Sequence, residues 1–326
     1  MSLRRFGSTA LQVGPLALGT VNFSWLTDEA DSFAILDRAA EAGINLIDTS
    51  DNYNAGQTEA LLGRWFAQGG GRREKAVLAT KVYSPPSEWR SREPVKRYGT
   101  WVGPNQRGLS AKHIREACEA SLKRLATDYI DLYQMHHVDR TARWEEIWQA
   151  MEVLIQQGKV LYVGSSNFAG WHIAQAQESA KARGAVGLVS EQSVYNLTKR
   201  VVELEVLPAA RAYGMAFIPY SPLGGGLLGG RPADNDRGRR SNIKPTEAVQ
   251  AFQALCDELG HPAGTVALAW VASQPGVTAA VIGPRTMAQL ESSLAALDIE
   301  LSDETLKRLD ELFPGPGGPA PEAYAW

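Results

Sequence analysis

Three ionisable side chains each follow an apolar run of strand length, and a tyrosine lies close behind the first of them. The runs span 44–47, 76–80 and 129–135, and the residues that follow them are Asp48, Lys81 and His136. Tyr53 lies five residues after Asp48, in the segment DTSDNYN. A nearby Lys⁺ favours tyrosinate and lowers the tyrosine pKa from about 10, which suits a general acid. We therefore predict that Tyr53 protonates a developing alkoxide, as carbonyl reduction requires.

Each of the four residues also has an ordinary structural interpretation. A strand-end Asp often caps the following turn, a Tyr often packs in the core, and a Lys is usually a surface charge. His136 stands next to His137, which suggests a metal, but no third His, Cys or carboxylate stands at ligand spacing. The joint placement of the four residues favours catalysis. Asp48 would then orient Lys81, His136 would donate to or accept from the carbonyl oxygen, and no metal would take part.

Apolar runs of strand length alternate with segments of helical periodicity along the chain. In the segment 28–42, four apolar residues share one helical face: Phe33, Leu36, Ala39 and Ala40. The predicted strands are 17–19, 44–47, 76–80, 129–135, 160–163, 188–190, 216–220 and 278–282. The predicted helices are 28–42, 57–68, 110–125, 143–157, 170–182, 202–213, 246–259, 264–273 and 286–297.

These elements make about eight strand–helix units without a change in composition, which predicts an α/β fold with a parallel sheet. Eight units can close into a (β/α)₈ TIM barrel. The 326 residues are enough for one such barrel, so we expect a single domain over residues 1–326. A doubly wound open sheet is the alternative fold.

Four segments fall outside the repeating units. The opening RRFGSTALQVGP predicts a β-hairpin that could plug the bottom of the barrel. Residues 83–109 and 224–245 are long loops that follow strands, which places them at the C-terminal face, where barrel active sites lie. The tail FPGPGGPAPEAYAW is expected to pack on the barrel through Tyr324 and Trp326, either at the pocket wall or on an outer helix.

Composition narrows the class of protein. The net charge of −3 argues against general binding to nucleic acid or to anionic membranes. Cys118 and Cys256 make neither a disulfide framework nor a metal motif, and we expect small buried thiols in a reducing compartment. No apolar segment approaches the about 20 residues that span a bilayer, and no secretory leader follows Met1. These features predict a cytoplasmic protein.

A glycine-rich segment offers a second route to nucleotide binding. Residues 224–229 read GGGLLG and match the pattern G-x-G-x-x-G of dinucleotide-binding folds. The pattern requires a helix next and an acidic residue about 20 positions on. Here RPADNDRGRR follows, and Glu247 is the nearest acidic candidate. The match therefore does not favour a Rossmann fold.

The chain resembles the aldo-keto reductases over essentially its whole length. The resemblance rests on seven ordered segments: INLIDTSDNYNAGQTEALLGRW, VLATKV, TDYIDLYQMHHVD, GKVLYVGSSNFAGW, EQSVYN, PYSPLGGGLLGG and VIGPRTMAQLESSL. It implies a (β/α)₈ barrel and NADP(H)-dependent reduction of an aldehyde or ketone. The family's catalytic tetrad falls on Asp48, Tyr53, Lys81 and His136.

The resemblance also implies cofactor contacts. At the nicotinamide end they are Ser166, Asn167, Gln192 and Tyr220, and over the pyrophosphate they are Ser221, Leu223, Gly226 and Leu227. At the adenosine phosphate they are Gly283, Arg285 and Gln289, and further implied contacts are Gly19, Thr20, Asp48 and Ser293. Arg285 suits a 2′-phosphate. The sequence departs from similar members at Ser292 and Ser293, where Glu-Asn is common, and at His137-Val138, where Trp-Pro is usual.

Two alternatives concern function. The segments DLYQMHHVDR and GWHIAQAQ, with the tail, look most like bacterial deoxysugar reductases, and the first loop carries five cations that could meet a nucleotide diphosphate: Arg90, Arg92, Lys96, Arg97 and Arg107. Channel β-subunits also resemble this family, so a non-catalytic NADP-binding subunit is the other alternative. All four tetrad positions are kept, which favours an enzyme acting on a small carbonyl compound. The oligomeric state stays open.

Overall fold

Ten strands and eleven α-helices make up the part of the chain that the structure, a computed structural model, describes: residues 2–85, 103–230 and 245–320. The strands are β1 Arg4–Arg5, β2 Gln12–Val13, β3 Leu16–Gly19, β4 Leu46–Asp48, β5 Val77–Val82, β6 Ile130–Met135, β7 Val160–Ser166, β8 Leu188–Gln192, β9 Ala216–Phe217 and β10 Ala280–Ile282. The helices are α1 Glu29–Glu41, α2 Gln57–Phe66, α3 Arg72–Lys75, α4 Ala111–Leu125, α5 Trp144–Gln156, α6 Gly170–Ala182, α7 Val206–Ala212, α8 Glu247–Leu259, α9 Ala263–Ser273, α10 Met287–Ala295 and α11 Asp303–Leu312.

Strands β3 to β10 form one parallel sheet that closes into a barrel. Each strand pairs with the next along the chain from β3 to β9, and β10 pairs with β3. The remaining gap is bridged because the Thr278 amide donates to the Phe217 carbonyl at 2.9 Å and the Val281 amide donates to the Pro219 carbonyl at 2.8 Å. The predicted (β/α)₈ barrel is therefore confirmed, and the alternative of an open doubly wound sheet is wrong.

Alternation along the strands separates two hydrophobic clusters. Inside the barrel, Leu46, Val77, Ala79 and Leu132 belong to a small buried cluster. Strand residues of the opposite parity, such as Ile47, pack outward against the helices in a much larger cluster. Successive strand side chains point to opposite faces, so both faces of this sheet are apolar except near the strand ends.

The N-terminal hairpin closes the bottom of the barrel, as its sequence predicts. Strands β1 and β2 pair antiparallel, and Phe6 and Val13 are fully buried in the inner cluster. The Arg4 guanidinium donates to the Val277 carbonyl at 3.2 Å, and the Ser8 amide donates to the Gly214 carbonyl at 2.7 Å. Both acceptors come just before a barrel strand. The hairpin therefore leaves the C-terminal ends of the strands open.

Several helices begin where a short polar side chain caps the first turn. The caps that accept a backbone amide three residues on are Asp28, Ser110, Thr246, Thr286 and Ser302. Helix α11 was not predicted from the sequence, and neither was the short α3. The predicted helix 202–213 is divided into a 3₁₀ turn at Val201–Glu203 and α7. The predicted strand 216–220 ends at Phe217.

The two long loops follow β5 and β9, at the predicted face. Most of each loop, residues 86–102 and 231–244, lies outside the described residues, and so do Tyr324 and Trp326. The described end of the chain reaches the loop between β8 and α7, where the Ala320 amide donates to the Leu204 carbonyl at 2.8 Å. That loop is on the same side of the barrel as the strand ends. The expectation that residues 1–326 form one domain stays a prediction.

Candidate active site

The ends of β4, β5 and β6 bring the four predicted catalytic residues together. The Lys81 ammonium is fully buried and donates to both Asp48 carboxylate oxygens, at 2.8 and 2.7 Å. It also donates to the Thr49 carbonyl at 2.9 Å and lies 3.4 Å from the Tyr53 hydroxyl. Burial alone lowers the pKa of Lys81, but its interactions with the Asp48 carboxylate and the Tyr53 oxygen outweigh that effect and raise it. Lys81 is therefore a cation next to the Tyr53 oxygen.

Two glutamines hold the Asp48 carboxylate from the inside of the barrel. Gln192 donates its amide to Asp48 Oδ1 at 2.8 Å, and Gln134 donates to the same oxygen at 3.2 Å. Gln134 was not predicted from the sequence, although it shares strand parity with Leu132 and His136 and so faces the barrel interior. The structure directs the Gln192 amide nitrogen to Asp48, and its predicted contact with the nicotinamide stays a prediction.

His136 completes the cluster from the end of β6. Its ring lies edge-on to the Tyr53 ring, with 6.2 Å between centroids, and it stacks on His137. Burial and the Lys81 charge lower the pKa of His136 well below its ordinary value of 6.5, so the ring is neutral near pH 7. Ser50 Oγ lies 3.2 Å from His136 Nδ1. Ser50 therefore fixes the ring and leaves Nε2 to act on a ligand. Ser50 was not predicted from the sequence.

The turn that carries Tyr53 has an unusual backbone. Asn54 and Ala55 have φ of +46° and +56°, and Gly56 has φ of +84°. Such left-handed conformations are uncommon for residues other than glycine and need support from their surroundings. The side-chain amide of Asn54 supplies this support by donating to the Ser24 carbonyl at 2.7 Å. The loop after β3 thus holds the turn that presents Tyr53.

The residues implied at the nicotinamide end are linked to the cluster through Asn167. Its side-chain amide donates to the His136 carbonyl at 3.1 Å and to Ser166 Oγ at 3.0 Å. The Tyr220 hydroxyl donates to Asn167 Oδ1 at 2.9 Å. Asn167 itself has φ of +60°. One side chain therefore joins the ends of β6 and β7 to the loop after β9.

The residues implied at the pyrophosphate form a tight turn after β9. Ser221 has φ of +53°, and its carbonyl accepts the Gly224 amide at 2.9 Å. The Leu223 carbonyl accepts the Gly226 amide at 3.0 Å, and Leu227 is half-buried. Gly226 is exposed, and a side chain there would meet no atom within 4 Å. The turn therefore offers open backbone on the side where the strands end.

The residues implied at the adenosine phosphate lie at the start of α10. Gly283 is exposed directly after β10, and the Arg285 amide donates to Gln289 Oε1 at 2.8 Å. Thr27 donates to the Arg285 carbonyl at 3.1 Å, and Ser293 donates to the Gln289 carbonyl at 2.8 Å. A helix N-terminus with an adjacent arginine is a favourable place for a phosphate. The Ser293 hydroxyl hydrogen is therefore used in a hydrogen bond within its own helix.

Gly19 and Thr20 lie directly beside Asp48 at the end of β3. The Thr20 amide and hydroxyl both donate to the Asp48 carbonyl, each at 3.0 Å. A side chain at position 19 would approach Val281 Cγ1 to 2.7 Å, so only glycine fits. The two residues therefore shape the wall next to Asp48, and their implied cofactor contact stays a prediction.

Other features predicted from the sequence have these outcomes. Arg107 is exposed, and the other four loop cations, Arg90, Arg92, Lys96 and Arg97, lie outside the described residues. Cys118 and Cys256 are buried, which raises the pKa of each thiol to about 12. Within residues 2–85, 103–230 and 245–320, no group of three or more His, Cys, Asp or Glu is arranged to hold a metal. No helix in the same ranges is long and apolar enough to cross a membrane.

The fold and the cluster of Asp, Lys, Tyr and His define a (β/α)₈ barrel of the reductase class. The model of the Aldo/keto reductase family matches residues 15–313. The chain belongs to that family. Members of this family are generally oxidoreductases that act on small-molecule carbonyl compounds with NAD(P)H.

Individual relatives span several named functions. The chain is 49% identical to an uncharacterised oxidoreductase of Bacillus subtilis, YrpG, over the full length of both. It is 34% identical to norsolorinic acid reductase stcV of Emericella nidulans, over 93% of this chain and 79% of that one. It is 32% identical to a probable voltage-gated potassium channel subunit beta of Oryza sativa subsp. japonica, over 92% of each. The relatives include a named reductase and a named channel subunit, so their names do not decide between an enzyme and a non-catalytic subunit.

Proposed function

We propose that this protein is an NADP(H)-dependent reductase that converts an aldehyde or ketone into an alcohol, with Tyr53 as the proton donor. The observation that carries the proposal is the Lys81 ammonium, buried between the Asp48 carboxylate and the Tyr53 hydroxyl. A cation at that point stabilises the phenolate that remains after Tyr53 gives up its proton. The arrangement suits a reaction in which negative charge develops on a ligand oxygen beside Tyr53.

The other members of the cluster have separate roles in this proposal. Asp48 keeps Lys81 charged and in place, and Gln134 and Gln192 keep Asp48 in place through its Oδ1 atom. His136 is neutral, and its Nε2 faces away from Ser50, so it can orient the carbonyl oxygen without adding a charge. A positioned general acid contributes about 10²- to 10⁴-fold in rate.

The residues around the cluster fit a nicotinamide dinucleotide. Asn167 and Tyr220 would hold the nicotinamide end, the turn at 221–227 has open backbone for the pyrophosphate, and Arg285 at the start of α10 suits a 2′-phosphate. When bound, NADPH would supply the hydride that reduces the carbonyl carbon. Asp48 is occupied by Lys81 and the glutamines, so we assign it to the catalytic cluster rather than to the cofactor.

A non-catalytic NADP-binding subunit is the competing function, because one relative is named as a channel subunit. The contacts within the tetrad favour the enzyme. A binding module would need neither the buried ion pair nor a hydroxyl next to it. Within the enzyme class, a nucleotide-linked deoxysugar remains one candidate substrate among small carbonyl compounds.

The proposal is tested by following NADPH oxidation with a panel of carbonyl substrates. The panel contains short aldehydes, aromatic aldehydes and nucleotide-linked keto sugars, each with wild-type protein. We expect turnover with at least one class. NADPH that binds but is not oxidised with any of them would favour the binding module and contradict the proposed activity.

A further inference from the structure

Glu191 is a buried carboxyl that the proposed reaction does not use. It has no exposed surface and lies on β8, next to Gln192 but with its side chain on the opposite side of the strand from the tetrad. Ser193 donates to Glu191 Oε1 at 2.6 Å, and the Phe168 amide donates to the same oxygen at 3.1 Å. Ser165 donates to Oε2 at 2.5 Å. The carboxyl thus bonds both sides of the turn that follows β7.

The turn that Glu191 holds carries Asn167. Ser165 and Phe168 flank Asn167, which has the left-handed backbone at φ of +60°. Asn adopts this conformation more readily than most non-glycine residues, and here the hydrogen bonds to its neighbours hold the turn in it. Asn167 in turn bonds the His136 carbonyl and the Tyr220 hydroxyl. A chain of contacts therefore runs from the Glu191 carboxyl to the nicotinamide end of the implied cofactor site.

We propose that Glu191 is a positioning residue for the cofactor, and that its ionised carboxylate holds the turn at 165–168 so that Asn167 faces the nicotinamide. The inference rests on the proposed function, since it requires a nicotinamide cofactor at this site. An ionised carboxylate can accept all three hydrogen bonds. Each of them is stronger than a bond to a neutral acceptor, because the acceptor carries a charge. A protonated carboxyl carries a hydrogen on one of its oxygens. That hydrogen takes up one acceptor position and lies close to the hydrogens of the neighbouring donors. The turn is then held less firmly.

The ionisation of Glu191 falls in an accessible range. Burial raises its pKa from 4.5 to about 7, against the hydrogen bonds from Ser165, Ser193 and Phe168, which lower it. The titratable groups nearest along the same contacts are Asp48, which bonds Gln192, His136, which bonds Asn167 through its carbonyl, and His172 of α6, whose ring lies edge-on to Phe168. Burial lowers the pKa of His172 below its ordinary value of 6.5. His136 stays neutral above its lowered pKa, so it does not titrate in the same range. NADPH affinity should therefore weaken as the pH falls through about 7.

Stability should change with pH in the opposite direction. The raised pKa means that the folded protein binds this proton more tightly than the unfolded chain does. The resulting contribution to the free energy of unfolding is complete below about pH 4.5 and is lost as the pH rises through about 7. If Glu191 had only a structural role, NADPH affinity and the free energy of unfolding would change with pH in the same direction. A positioning role makes affinity rise while this contribution to stability falls.

The test measures the NADPH dissociation constant by quenching of protein fluorescence from pH 6 to pH 8, for wild type and Glu191→Gln. We expect the variant to bind about tenfold more weakly at pH 8, the loss typical of one charge-assisted hydrogen bond. The two affinities should converge at pH 6, where wild-type Glu191 is protonated. The 2′-phosphate of the ligand also titrates near pH 6, but it is the same in both titrations and cancels in their ratio.

Two further variants keep the test decisive. Ser193→Ala removes one donor to the carboxylate, so the midpoint of the wild-type affinity profile should move to higher pH. Asp131→Asn is the matched control, because Asp131 is also a strand carboxyl with little exposure, but it bonds Arg73 and the Leu78 amide away from the turn. It should lower the melting temperature and leave the affinity profile unchanged.

Equal affinity and an equal pH profile in wild type and Glu191→Gln would overturn the positioning role while leaving the proposed function intact. If Glu191→Gln does not fold, an unmoved midpoint in Ser193→Ala overturns it. Failure of wild type to bind NADPH or NADH at any pH would overturn the proposed function and this inference with it.

Discussion

Lys81 keeps its charge although it has no contact with solvent, because Asp48 and the Tyr53 oxygen surround its ammonium group. Removing a charge from such a pair leaves the partner buried and uncompensated, which is far more costly than losing a surface ion pair. This buried pair is weak evidence for stability but strong evidence for a site, since perturbed ionisable groups cluster where chemistry occurs. The geometry at the residue scale therefore supports the catalytic interpretation.

Ser50 gives a prediction at the residue scale. Its hydroxyl lies 3.2 Å from His136 Nδ1 and fixes the ring that would orient the carbonyl oxygen. In Ser50→Ala we expect kcat to fall by about 10- to 100-fold, as for a misplaced catalytic group, while the dissociation constant of NADPH is unchanged. Steady-state kinetics and a cofactor titration measure the two quantities.

Ser190→Ala is the matched control for Ser50→Ala. Ser190 is also fully buried on a barrel strand, but its hydroxyl has no hydrogen-bond partner among the residues that the structure describes. Its removal should leave kcat within about twofold of wild type, because the substitution breaks no hydrogen bond. Equal losses of kcat in the two variants would show that Ser50 acts only through packing.

At the scale of elements, we expect the start of α10 to set the preference between NADPH and NADH. Arg285 adjoins the N-terminus of this helix, where an added phosphate meets both a guanidinium and the helix dipole. We predict tighter binding of NADPH than of NADH. Arg285→Ala should weaken NADPH by about tenfold or more, the value of a charge-assisted contact, and leave NADH nearly unchanged. Titration of both cofactors against both proteins measures this.

Lys307→Ala provides the control for the loss of one positive charge. Lys307 lies on α11 and is exposed, so it should not change either affinity beyond about twofold. Equal binding of NADPH and NADH by wild type would contradict the assignment of Arg285 to the phosphate.

Some elements could be predicted from the sequence and others could not. Helix α6 spans the predicted 170–182, and strands β4 to β6 end at the predicted residues or one to two beyond. The face of α1 was predicted less well, because Ser32 and Ile35 are buried, Phe33 is only partly buried against the core, and Ala40 is exposed. The bounds of a helix can be predicted from the sequence, but the exact direction of its buried face depends on the elements that pack against it.

The same division holds for the site. Asp48, Lys81 and His136 could be found because each directly follows an apolar run of strand length, and Tyr53 because it lies five residues after Asp48. Gln134, Ser50 and Glu191 act through hydrogen bonds to residues far away in the chain, and each alone is an ordinary polar residue. Only the closed barrel brings these partners within 3.2 Å.

At the scale of the whole molecule, the hairpin and the site occupy opposite ends of the barrel. Phe6 fills the bottom, among Val13 and the inner cluster. Phe6→Ala should lower the free energy of unfolding by about 3–5 kcal/mol, the usual cost of deleting a buried aromatic ring. NADPH affinity should not change, because the residues proposed to bind the cofactor lie at the other end of the barrel. Leu3→Ala, at a side chain that is 53% exposed, is the control and should cost little. A large loss of NADPH affinity in Phe6→Ala would contradict this separation.

The most direct test of the central claim is Tyr53→Phe, which removes only the oxygen next to Lys81. Carbonyl reduction should fall by about 10²- to 10⁴-fold, the contribution of a positioned general acid, while the NADPH dissociation constant stays within a few-fold of wild type. Tyr213→Phe, whose hydroxyl bonds Glu178 away from the cluster, should keep full activity. Turnover by Tyr53→Phe above about a tenth of the wild-type rate would contradict the assignment of Tyr53 as the proton donor.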